Sequence, residues 1–88
     1  MPPQTPNDPH VLALAALAAT LSDERRAHRF LDVTGIGTAE LRDRAGDPSL
    51  LAAVLSFLEA HEPDLIAVAE NVGVPPQQLV RARLELEQ

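Results

Sequence analysis

His28 and Asp32 stand four residues apart, the spacing that places two side chains on one helix face, and His61 is followed by Glu62 and Asp64. Imidazole and carboxylate both bind metals, so these pairs are where a metal site would begin. A complete site needs three or four converging donors, and helical spacing supplies two. His28 also sits among Arg25, Arg26 and Arg29, whose charges repel a cation. The expectation is exposed histidines, no metal and no other cofactor. The turn Thr34-Gly35-Ile36-Gly37-Thr38 offers glycines for a phosphate loop, but no strand precedes it and no Lys follows it. Helix termination by Gly35 and capping of the next helix by Thr38 account for the turn. General acid–base work would need a carboxylate with a shifted pKa in a cleft. The acids here fall mostly at helix starts or on polar faces, where capping and solubility explain them. No catalytic residue is assigned, and an enzyme is not expected.

Two other groups of side chains could bind rather than catalyse. Arg25, Arg26, Arg29, Arg42 and Arg44 gather in residues 23–46, interspersed with Asp23, Glu24, Asp32, Glu40 and Asp43. Pairing along their own helices is one use of such charges. Docking an acidic partner is the other, and residues 59–70 of a second copy of the chain are a candidate. Residues 47–74 hold five acids and neither Lys nor Arg. The second group lies in residues 64–83, which fit a helix-turn-helix spacing: Ala69, Gly73 four on, Leu79 six further. Gln77, Gln78 and Arg81 would then face base edges. A DNA-binding domain carries a basic stripe, whereas the first helix of this pair has Asp64 and Glu70 with no base. Nucleic acid is therefore the disfavoured reading.

The whole chain has seven Arg, no Lys and 13 acids, for a net charge of −6 with His neutral. Acidity of this kind opposes non-specific phosphate binding. Eighty-eight residues suffice for one small domain. Apolar residues make up 45%, yet Phe30 and Phe57 are the only aromatics, so the core must be aliphatic. Cys is absent, which excludes disulfides and thiolate chemistry and agrees with a reducing, cytoplasmic setting. The run Val11 to Ala19 resembles a signal-peptide core, but Asp8 precedes it and no Lys or Arg does, the wrong flank for secretion. No apolar run is long enough to span a membrane.

Positioning falls to helices. Met1 to Asn7 carries three prolines and no apolar run, so residues 1–8 read as a Pro-rich tail and 9–86 as a single helical domain. Asp8 and Pro9 open a helix over about 9–21, with Leu12, Ala16 and Ala19 beside Leu14, Leu17 and Leu21. A second spans about 23–33, with Ala27, Phe30 and Leu31 inward and Gly35 ending it. A short third, about 38–45, is stopped by Gly46. Asp47 and Pro48 open the fourth, about 48–60, whose apolar residues cover most of its circumference. It is the central helix against which the others pack. Pro63 opens a fifth, closed by Gly73, and the last runs over about 76–86 with Leu79, Val80, Arg83 and Leu86. No segment alternates with period two, so no strand is expected.

A weak repeat runs at an offset of 38 residues: Gly35-Ile36 with Gly73-Val74, Leu41 with Leu79, Leu17 with Leu55, Ala27 with Leu65. It would make the fold two three-helix units with approximate two-fold symmetry. Chance alignment of an Ala- and Leu-rich helical chain with itself is the alternative, and the matched glycines weigh against it.

The segment Arg29 to Leu58 carries a family pattern. Phe30-Leu31 leads to Thr34-Gly35-Ile36, then Leu41-Arg42, then Gly46-Asp47-Pro48, then the apolar helix. It resembles the bacterial family called domain of unknown function 3572, found mainly in alphaproteobacteria. Gly37 stands where that pattern suggests a polar or acidic residue. The resemblance implies a small all-helical cytosolic protein and brings no catalytic residue with it. The expectation is an all-α bundle of five or six short helices around residues 48–60. Its expected function is a non-enzymatic interaction module in the cytoplasm, with an unidentified protein or a second copy (a homodimer) as partner. The alternative is a helix-turn-helix-like nucleic-acid binder through residues 64–83.

Overall fold

A computed structural model describes residues 8–88, which form six helices and no strand: α1 (Pro9–Ser22), α2 (Glu24–Thr34), α3 (Thr38–Asp43), α4 (Pro48–Glu59), α5 (Glu62–Val72) and α6 (Pro76–Leu86). The predicted tail, apart from Asp8, lies outside the described residues. Three aspartates start helices. Asp8 accepts from the backbone N–H of His10 and Val11 at 2.9 and 3.2 Å, Asp23 from Arg26 at 2.9 Å, and Asp47 from Ser49 at 2.8 Å. Each such bond satisfies a donor that the first helical turn leaves without a partner. Gly35 and Gly73 end α2 and α5 with φ of 72° and 91°. Their N–H groups donate back to Leu31 and Ala69 at 2.9 and 2.8 Å.

The third helix departs from expectation at both ends. Thr38 does not cap it; Gly37 holds the extended cap position, with no side-chain bond, and Thr38 is the first helical residue. At the other end the helix stops at Asp43, where the Arg44 N–H closes on Glu40 O at 2.9 Å. Gly46 has no left-handed conformation and is not the stop. A turn from Arg44 O to Asp47 N, 2.9 Å, instead hands the chain to the α4 cap.

Leu50, Leu51, Ala52, Val54, Leu55, Phe57 and Leu58 of α4 are buried. The helix packs on α1, α2, α5 and α6, so it is central as its wide apolar arc requires. α1 shares that role, touching the same three helices and α4 itself. Its buried positions are Leu12, Ala13, Ala16, Leu17, Ala19 and Thr20, while Leu14 and Leu21, expected inward, are exposed. The buried Thr20 hydroxyl donates to Ala16 O at 2.7 Å, so it leaves no unpaired donor in the core. Phe30 and Phe57 meet edge to face at 5.3 Å where α2 crosses α4.

Two of the three helices in each half keep the offset of 38 in the structure. An offset of 38 carries the six buried positions of α1 onto Leu50, Leu51, Val54, Leu55, Phe57 and Leu58, all buried in α4. It carries α2 onto α5 end to end and one left-handed glycine onto the other. α1 packs on α2 and α5, and α4 packs on α5 and α2, the reciprocal contacts that a two-fold relation requires. The third helices break it. α6 has 11 residues and lies across α1 and α4, whereas α3 has 6 and sits at the edge. The partners differ in size: Ala13, Ala16, Ala19 and Thr20 of α1 face the core where α4 places Leu51, Val54, Phe57 and Leu58.

Candidate functional site

The arginine cluster divides into residues consumed by the fold and residues left at the surface. Arg26 Nε donates to Asp64 Oδ1 at 3.2 Å, and the Arg29 guanidinium pairs with the other carboxylate oxygen. Asp64 is 8% exposed, so this is an ion pair largely withdrawn from water. Arg29 also lies over the Phe57 ring, its guanidinium carbon 5.5 Å from the centroid. The acidic stretch that was expected to meet these arginines from a second copy reaches them, through Asp64, within the same chain. The placement has a visible signal: Asp64, Val68 and Val72 fall at i, i+4 and i+8, so the carboxylate lies on the inward stripe of α5.

Arg44 is likewise engaged, with Glu40 at 2.8 Å and Asp47 at 3.2 Å. These two carboxylates raise its already high pKa, the Glu40 hydrogen bond first. Arg25 and Arg42 are exposed and make no ion pair among the described residues.

Arg42 lines a largely apolar groove of about 390 Å³ between α1, α2 and α3. Leu17 and Leu21 come from α1, Ala27 and Leu31 from α2, Leu41 from α3. The groove exists because α3 is short. It ends before it can lie over α1 as α6 lies over α1 and α4, and Leu21 remains exposed beside the buried Leu17. Sequence periodicity put Leu21 with Leu17 on the core side because it reports a face, not whether another element reaches far enough to cover it.

The second candidate group stays apart from this groove. α5 and α6 keep the expected spacing, with Ala69, Val74 and Leu79 buried around the left-handed Gly73. Gln77 and Arg81 are exposed on α6 and Gln78 is half-buried. Arg83 is half-buried and grips Glu59, with its Nη2 3.2 Å from Oε1, and Glu87 at 2.8 Å. Arg81 is thus the α6 cation left outside an ion pair among the described residues. Glu85 stands one turn from it.

The histidine pairs do not converge. His28, Asp32, His61 and Glu62 are exposed, and among the described residues no three His, Cys, Asp or Glu side chains gather where they could hold a metal ion. In the glycine turn, the Thr34 hydroxyl donates to Phe30 O at 2.7 Å and accepts from the Ile36 N–H at 3.3 Å, so it works to close α2. No helix among the described residues is long and apolar enough to cross a membrane.

The family model described as protein of unknown function (DUF3572) matches residues 6–88. No curated protein and no solved structure shows significant similarity to the chain.

Proposed function

The chain belongs to the DUF3572 family, and from that premise we propose that it is a non-enzymatic protein–protein interaction module acting in a bacterial cytoplasm. The observation that carries the reading is the groove between α1, α2 and α3. Its volume falls in the range of binding sites, and its lining is apolar apart from Thr38 and Arg42. Leu21, 38% exposed, keeps apolar surface in water that a partner could cover. A Cys-free chain supports the reducing compartment.

A photo-crosslinking residue at Leu21 tests this in the native host. Protein adducts are expected there and not at Leu84, which is also exposed but lies on α6. Equal adducts at both sites, or none at either, would overturn the reading.

A nucleic-acid reading through residues 64–83 has the α5–α6 geometry in its favour, but the charge of the surface weighs against it. Random duplex DNA at low salt is expected to bind no more tightly than about millimolar, near the weak end of non-specific binding. Micromolar binding that Arg81→Ala weakens would favour DNA over protein as the partner.

A further inference from the structure

We infer that the groove's occupant is the outer face of α5 from a second copy of this chain. The inference rests on the interaction-module reading and names its partner. α5 presents to solvent a surface that complements the groove. Ile66 is 45% exposed, and Glu62 and Glu70, one turn on either side of it, are exposed too. Neither glutamate makes an ion pair among the described residues. An apolar knob flanked by two free carboxylates faces outward on one helix, and an apolar groove carrying one free guanidinium opens elsewhere on the same molecule.

The groove side has no other claim on its charge. Arg44 already engages Glu40 and Asp47, and Arg26 and Arg29 are committed to Asp64. Of the two cluster arginines outside an ion pair among the described residues, Arg25 and Arg42, it is Arg42 that lines the groove and can take a carboxylate from outside there. Ile66 entering between Leu17, Leu21, Ala27 and Leu31 would remove apolar surface from water on both copies. Glu62 or Glu70 would reach Arg42 at the rim, where the pair sets orientation more than affinity. One helix face seated in one groove is a small interface, of the size found in transient contacts. The contact joins different patches on the two copies. It closes as a pair if both grooves engage at once and otherwise extends head to tail.

Sedimentation velocity on the full chain, from about 10 μM to about 1 mM, tests this in the range of weak association. The wild type is expected to associate with concentration, and less so in high salt, because a rim pair is screened. Arg42→Glu is expected to weaken association about tenfold, as is Glu62→Arg with Glu70→Arg, a tenfold change being one step on the affinity scale. Carrying all three substitutions on one chain exchanges the charges and should restore association. That recovery separates a broken contact from a misfolded variant. A wild type that stays monomeric, or a triple variant that does not recover, overturns the inference. If Leu21 still crosslinks to a different protein while the chain remains monomeric, the module reading stands and this one falls.

Discussion

Arg26 and Asp64 are 38 residues apart in sequence, 3.2 Å apart in space, and equivalent to each other under the repeat. A two-fold relation brings equivalent positions together near its axis, and here it brings together opposite charges. Arginine in one half and aspartate in the other make that meeting a bond. Arg29, the next turn of α2, adds a second cation to the same carboxylate and stacks on Phe57.

Asp64→Ala leaves two guanidinium groups facing each other without their carboxylate. Breaking a buried pair by removing one partner typically costs about 3–5 kcal/mol, and partial exposure of Arg29 should keep this case at or below the lower end. Denaturant unfolding measures it. A loss comparable with that of an exposed pair, under about 1 kcal/mol, would mean that water already screens the cluster.

Leu55→Ala should cost about 2–5 kcal/mol, because the side chain is fully buried in α4 and a cavity would remain. A domain of this size has about 5–15 kcal/mol in all. Its repeat counterpart Leu17 is also buried but borders the groove, so Leu17→Ala should cost less. Melting midpoints compare the two. Equal losses would show that the groove side packs as tightly as the centre.

Much of this fold was readable because its determinants are local. Asp8, Asp23 and Asp47 mark helix starts, Gly35 and Gly73 mark ends, and the apolar arc of residues 48–60 marks the centre. The candidate site was less readable. Arg26 and Arg42 look alike in sequence, yet one is bonded to Asp64 and the other borders a groove. That difference depends on where α5 crosses α2 and on how far α3 extends, and neither is a property of a local window. Leu14 and Leu21 fell on an apolar stripe wider than the surface available to cover it.

The helix caps make the fold acid-sensitive. The Arg26 N–H holds the Asp23 carboxyl below the ordinary aspartate range, and the Ser49 N–H does the same for Asp47, helped by Arg44. A carboxyl whose pKa is lowered on folding contributes stability above its unfolded pKa, and that contribution is lost as pH falls through the folded value. Stability should therefore hold from neutral pH down to about pH 5 and decline below about pH 4, the ordinary aspartate range. Asn caps helices well but does not titrate. Asp23→Asn with Asp47→Asn should give a shallower acid limb in a series of melts against pH. An unchanged limb would assign the acid loss to other carboxylates.

The two left-handed glycines allow a test in which packing plays no part. Gly35 and Gly73 have φ of 72° and 91°, and a Cβ built at either would find no atom within 4 Å. Whatever Ala costs there must come from its own backbone, because an L-residue in that region brings Cβ against the following carbonyl. About 1 kcal/mol is expected for each of Gly35→Ala and Gly73→Ala. Gly37 meets equally open space but has φ of −81°, which any residue adopts, so Gly37→Ala should be neutral or slightly stabilising. Denaturant midpoints at unchanged m-value give the comparison. If all three variants lost the same stability, the cost would belong to something shared by the turns, and the left-handed conformation would not explain why glycine stands at 35 and 73.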